Sequence, residues 1–176
     1  EVIANTTAIY FDKPVSLDNR LNWFKGRGAK GFPVLVATDG SGVIGFASFG
    51  EFRTSPCYQF TVEHTVHVRA DQRRRGVGRA LLEAIMSRAA EMGKHVLIAG
   101  IDADNAGSMR LHECLGFERV AQRDDQVQQN QGEGRLLATL EELQGLRTRA
   151  RGPDLETQPL DRLFENPALG GIVVDD

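Results

Sequence analysis

The run Arg73-Arg74-Arg75-Gly76-Val77-Gly78-Arg79 combines the residue types that can grip an anion. A glycine turn that opens a helix leaves the first backbone N–H groups without internal acceptors. The helix dipole adds positive potential at the same point. Three arginines leading into the turn supply mobile charge and forked donors. The chemistry is that of a phosphate or pyrophosphate site. A tight turn with solvated arginines would use the same residues, so the anion reading requires a strand before the run and an amphipathic helix after it.

Both are written in the flanking sequence. From Phe60 to Arg69 the chain alternates: Phe60, Val62, His64, Val66 and Val68 on one face, Thr61, Glu63, Thr65, His67 and Arg69 on the other. After the glycines, Val77, Leu81, Ala84, Ile85 and Arg88 recur at helical spacing until Gly93. Upstream, Ser16 caps a predicted helix over 16–26, which Gly26, Gly28 and Gly31 are expected to end. The apolar runs Pro33–Ala37 and Val43–Phe49 flank Thr38-Asp39-Gly40-Ser41-Gly42, a hairpin signature. His95–Ile101 predicts a further strand, and Ala106–Leu115 a helix closed by Gly116. The element order implies an α/β fold with helices layered on a sheet.

After Val120 the composition shifts. Residues 124–134 are polar and rich in Gln, the pattern of a loop. Leu136, Leu137, Leu140, Leu143 and Leu146 predict an amphipathic helix over about 134–149. Ile172-Val173-Val174 is strand-like. The organisation expected is a core over 1–120 and a C-terminal extension over 121–176.

A chain of 176 residues is large enough to bury a core without staples. Net charge is −3, with positive residues gathered near 69–79 and 147–151, which argues against general nucleic-acid binding. Cys57 and Cys114 lack metal-like spacing. No segment reads as a signal peptide or membrane span, and a reducing cytoplasm is the expected compartment.

Four ordered motifs carry a likeness. They are Val62-Glu63-His64-Thr65-Val66-His67-Val68, Arg73-Arg74-Arg75-Gly76-Val77-Gly78, Ala99-Gly100-Ile101-Asp102-Ala103-Asp104-Asn105 and Leu111-His112-Glu113-Cys114-Leu115-Gly116-Phe117. With Asn5-Thr6-Thr7-Ala8 and Ala47-Ser48-Phe49-Gly50, they resemble the core of a GNAT-superfamily acetyltransferase. The closer resemblance is to the phosphinothricin/methionine sulfoximine N-acetyltransferase group, over about residues 2–120. It implies a central, mostly antiparallel sheet flanked by helices. Measured against the family pattern, the N-terminus looks truncated and the tail atypical.

The resemblance also implies roles. Acetyl-CoA would be the co-substrate, with no metal required. Its pyrophosphate would rest on the turn formed by Arg73, Arg74, Arg75, Gly76, Val77, Gly78 and Arg79. The edge Val66-His67-Val68 would pair with the pantetheine amides, and Asn105 would contact the coenzyme. An alkyl amine is mostly protonated at pH 7, its pKa lying about one to three units higher, so the reaction needs a base. Glu63 matches the family's strand glutamate; a solvated strand carboxylate paired with a cation is the alternative.

His112 stands where many relatives carry a tyrosine acid, or else is a half-buried imidazole bonded to a backbone carbonyl. His64, on the apolar face, is expected to be a satisfied core histidine. Arg53 suits a substrate carboxylate or phosphinate, or is a surface arginine. Phe11 and Trp23 could wall the acceptor pocket. The expected function is N-acetylation of a small amino-acid-like molecule by a homodimer. The alternatives are a silent acetyl-CoA-binding module and a protein N-terminal or lysine acetyltransferase.

Overall fold

A computed structural model describes residues 15–39, 42–120, 133–139 and 172–175. The motif at 5–8 and Phe11 lie outside them. Ser16 caps the first helix by accepting a hydrogen bond from the Asn19 N–H at 3.2 Å. That helix, α1, spans Leu17–Ala29 and so runs three residues past its predicted end. Gly26 and Gly28 do not break it. An interior glycine costs only about 1 kcal/mol in a helix, and Gly31, with φ +69°, makes the stop.

The hairpin follows as β1 (Val34–Thr38) and β2 (Val43–Glu51), paired antiparallel. The alternating segment is β3 (Thr61–Val68), antiparallel to β2 with Gly50 opposite Glu63 and Ala47 opposite Val66. Next come α2 (Val77–Glu91), β4 (Val96–Asp102), α3 (Ala106–Cys114) and β5 (Glu118–Val120). The glycine run therefore sits between a strand and a helix, as the phosphate reading requires.

Two strands from beyond residue 120 complete the sheet. β6 (Glu133–Thr139) lies between β4 and β5, and β7 (Ile172–Asp175) pairs with β1 at the far edge. The order is β5-β6-β4-β3-β2-β1-β7, and among the described residues only the β3–β4 pairing is parallel. The predicted helix over 134–149 is thus corrected at its start: residues 133–139 are strand, and 140–149 lie outside the described residues. The leucine spacing is compatible with a helix, but register with Val96–Asp102 on one side and Glu118–Val120 on the other satisfies the backbone on both edges. Such tertiary pairing overrides a weak local preference. Residues 133–139 and 172–175 thus each supply a strand to the sheet.

The core lies between the sheet and α2. Val77, Leu81, Leu82, Ile85, Met86 and Ala89 form the buried stripe of that helix, which packs on β1, β2 and β3 against Leu35, Ala47, Phe49 and Val62. Leu81 is fully buried. Leu81→Ala should cost about 2–5 kcal/mol, read as a lowered urea midpoint at unchanged slope. No helix among the described residues is long and apolar enough to cross a membrane.

Candidate active site

Parallel pairing between β3 and β4 stops after Thr61–Val96, Val62–Leu97 and Glu63–Ile98. Beyond that point β3 stays with β2 as far as Val68, while β4 stays with β6 as far as Asp102. The sheet therefore splays, and among the described residues the β3 edge from His64 to Val68 has no ladder partner on the β4 side. An unpaired strand edge is a template for an extended ligand carrying amide groups.

A cleft of about 620 Å³ opens along this edge. Val66, His67 and Val68 form one wall, Arg73, Arg74, Gly76, Gly78 and Arg79 the head, and Asn105, Ser108, Leu111 and His112 the other wall. Predicted residues from three distant stretches thus meet around one space. Arg75 and Val77 are not in its lining. Arg75 donates from Nη1 to Gln72 Oε1 at 2.6 Å, and the Val77 side chain is in the core. Val77 can offer only its main chain.

At the head of the cleft the backbone is shaped for an anion. Arg74 has φ +60° and Gly76 φ +88°, and Gly76 is the N-cap of α2 with no side-chain cap bond. The first intrahelical bond is Ala80 N–H to Gly76 O at 3.0 Å, so the N–H groups of Val77, Gly78 and Arg79 precede any i−4 acceptor. Left-handed residues just ahead of such a terminus turn successive N–H groups into one concavity. Arg79 is held by Glu83 at 2.9 Å and Arg73 Nε donates to Val68 O at 3.3 Å. Asn105 caps α3, its Oδ1 accepting from Ser108 N–H at 3.1 Å.

His112 is 3% exposed and His64 8%. His112 Nδ1 lies 2.8 Å from Ser108 O, a contact that requires the proton on Nδ1. His112 Nε2 is then an acceptor, and His64 Nε2, 3.2 Å away, must be the donor. The rings are stacked at 5.1 Å and Phe117 stands edge-on to both. This leaves His64 Nδ1 as a buried lone pair without a partner. His64 is in the core as expected, but it is only half satisfied. Both rings also border a side chamber of about 100 Å³ that reaches Gly100 and Asp102.

Burial, reinforced by the neighbouring His112, pushes the His64 pKa down to about 3. Burial also lowers His112, against an opposing hydrogen bond to the Ser108 backbone, and it lowers His67, helped by Arg73. The unfolded chain binds a proton at His64 below about pH 6.5 and the folded chain only near pH 3. Stability should therefore fall as pH drops below about 6.5, by about 1.4 kcal/mol per pH unit for each such proton. In His64→Phe the slope between pH 6 and 4, measured by urea unfolding, should flatten by about one proton; an unchanged slope would contradict the assignment.

Glu63 projects from the opposite face of β3. A Cβ on Gly100 would lie 3.3 Å from Glu63 Oε1, so the carboxylate reaches toward β4 at the mouth of the splay. That gap is where groups on the two faces of the sheet can meet. The α1 helix covers part of this face, with Trp23 edge-on to Phe46 at 6.2 Å and Phe46 against His67 at 5.0 Å. Arg53 is exposed and does not line the cleft. Its guanidinium lies over Phe52 at 5.2 Å and Tyr58 at 5.4 Å.

Ser108, Leu111, Asp104 and Gly107 also line the cleft and escaped the sequence reading. The first two lie three and six residues after Asn105, a spacing that could have placed them near His112 on one side of α3. Cys57 and Cys114 are free and exposed. Among the described residues no cluster of three or more His, Cys, Asp or Glu could hold a metal ion.

Comparison with known proteins finds relatives of the chain. Residues 3–117 match the model of the acetyltransferase (GNAT) family. The chain is 48% identical over 119 residues to an L-methionine sulfoximine/L-methionine sulfone acetyltransferase of Pseudomonas paraeruginosa, covering 67% of this chain and 69% of that one. It is 33% identical over 118 residues to a phosphinothricin N-acetyltransferase of Streptomyces coelicolor, covering 65% and 69%. Among solved structures, yncA from Salmonella typhimurium, determined with its cofactor acetyl-CoA, superimposes with a TM-score of 0.72 at 35% identity, covering 89% of this chain and 85% of that one.

Proposed function

The chain belongs to the GNAT acetyltransferase family, and from that premise we propose that it moves an acetyl group from acetyl-CoA to the amine of a small amino acid of the methionine sulfoximine, methionine sulfone or phosphinothricin type. The observation that carries this reading is the placing of Glu63 at the splay between β3 and β4, with the cleft on the other side of the gap.

The residues present fit acetyl-CoA. Backbone N–H groups of Val77, Gly78 and Arg79, with the side chains of Arg73, Arg74 and Arg79, would hold the pyrophosphate. The open edge of Val66, His67 and Val68 would pair with the pantetheine amides, and Asn105 would close the cleft from α3. When bound, acetyl-CoA supplies an activated acyl group as a thioester.

Glu63 takes the proton from the acceptor's ammonium, directly or through water, and so frees a lone pair for attack. A main-chain N–H of the β3 edge stabilises negative charge on the acyl oxygen. The N–C bond would form and the C–S bond break, coenzyme A leaving as a thiolate that takes up the second proton shed by the nitrogen, directly or through water. A thiol's ordinary pKa near 8.5 makes that departure undemanding. His112, kept neutral by burial, has its one proton on Nδ1 facing Ser108 O and accepts from His64 at Nε2, so in this arrangement it shapes the wall of the cleft and leaves the departing sulfur to take its proton elsewhere. The exposed free cysteines suit a reducing cytoplasm, and a homodimer, carried over from the family resemblance, is checked by light scattering.

The test is direct. Acetyl-CoA should raise the melting temperature, and methionine sulfone should then release free thiol in stoichiometry with acetylated product. Stabilisation by acetyl-CoA without turnover on methionine sulfone, methionine sulfoximine or phosphinothricin would replace the enzyme with the silent module.

A further inference from the structure

Arg27, in the last turn of α1, is the cation that the sequence reading passed over. Its guanidinium lies against Gly50 so closely that a Cβ there would collide with it. The side chain is half-buried between aromatic rings, 5.3 Å from the centre of Trp23 and 5.9 Å from that of Phe32. Gly50 is the cross-strand partner of Glu63. Residues opposite one another on antiparallel strands share a face, so Arg27 and Glu63 occupy neighbouring positions on the acceptor side of the splay.

Arg27 is not consumed by the fold. Among the described residues its guanidinium makes no hydrogen bond and no ion pair within 4 Å. The nearby Glu51 is engaged by Lys30 at 2.6 Å. Burial lowers the Arg27 pKa, against the opposing charges of Glu51 and Glu63. A half-buried guanidinium with no hydrogen-bond partner among the described residues has donors to offer a ligand anion, and its planar fork matches a carboxylate.

We propose that Arg27 anchors the acceptor's α-carboxylate: lodged over Gly50 beside Glu63, it binds the acid group of the amino acid whose amine Glu63 deprotonates. In an α-amino acid one carbon joins amine to carboxylate, so a molecule whose nitrogen lies beside Glu63 carries its acid within reach of Arg27. Gly50 is then a specificity element, because any larger residue there would displace the fork. Arg53, exposed on Phe52 and Tyr58, is left to contact more distal parts of the acceptor. This inference rests on the function proposed above.

The test compares methionine sulfone with its carboxamide and with the amine left when its carboxylate is removed. The wild-type protein should favour the carboxylate by about 10- to 100-fold in kcat/KM, the range for a hydrogen bond to a charged group. Arg27→Gln should lose that preference, mainly through KM for methionine sulfone, with acetyl-CoA affinity unchanged within about twofold. Arg27→Lys, which keeps charge without the fork, should fall between. A merely structural arginine would instead depress all three acceptors alike and lower the melting temperature.

Preference retained in Arg27→Gln, or equal use of acid and carboxamide by the wild type, overturns the anchor while leaving the acetyltransferase reading intact. If Arg27→Gln does not fold, Arg27→Lys and the wild-type series decide. A wild-type protein that binds acetyl-CoA and acetylates no amino acid overturns the parent reading and the anchor together.

Discussion

Glu63→Gln should lower kcat for methionine sulfone by about 10²- to 10³-fold at pH 7, within the range for loss of a general base. The glutamine is isosteric and keeps the β3 register with Gly50 and Ile98, so the fold should be unaffected. Acetyl-CoA affinity should change by less than about twofold, because Glu63 does not line the cleft.

The pH dependence identifies the role. Without a base the reaction must wait for the small fraction of free amine, which rises tenfold per pH unit until the amine's own pKa. The wild-type to variant rate ratio should therefore shrink steadily from pH 7 to 9. Thiol release measured across pH 6–9 checks this, and a ratio that stays flat, or a variant as fast as wild type at pH 7, would remove Glu63 from the mechanism.

Gly76→Val should raise the acetyl-CoA dissociation constant by about 10- to 100-fold, equivalent to losing one or two phosphate contacts. No atom of the described residues lies within 4 Å of the Cβ position at Gly76, so crowding among them is not the cause. Two other effects are. A β-branched residue at φ +88° is strained by about 1–3 kcal/mol, and its methyl groups would stand at the head of the cleft, where the phosphate must approach.

Gly93→Ala separates the two. Gly93 has φ +66° and follows the other end of α2, away from the cleft, so it carries backbone strain without facing the ligand. That variant should lose stability and keep wild-type affinity, whereas Gly76→Val should lose both. Calorimetric titration with acetyl-CoA reads the difference. Unchanged affinity in Gly76→Val would mean that the turn is no cradle.

Elements that depend on near neighbours were legible from the chain. The alternation of residues 60–69 and the helical stripe from Val77 to Ala89 are consequences of strand and helix geometry, which act over a few residues. The glycine turn between them follows from the same local rules. Glu63, Asn105 and His112 were named through a likeness of short, contiguous motifs; the fold brings Asn105 and His112 to the cleft and Glu63 beside β4. One error arose where local pattern and distant pairing disagreed, and another from giving two interior glycines too much weight. Leu136, Leu137 and Leu140 fit a helical stripe, and the glycines at 26 and 28 looked like a stop.

What long-range packing alone settled was which groups meet, and on which side. Premature divergence of β3 from β4 makes one gap shared by two sheet faces, and no residue spacing encodes that gap. His64 and His112, 48 residues apart, come within 3.2 Å as donor and acceptor of one hydrogen bond, so a histidine read as inert packing sets the hydrogen bonding of one read as a candidate acid. Arg27, on α1, finds its place only through Gly50 on β2, whose missing side chain makes room for it. Local conformational preferences are properties of a few adjacent residues and survive in the linear chain. The distances and dielectric surroundings that create a reactive site exist only after remote segments have packed, and for this protein they were the larger part of the answer.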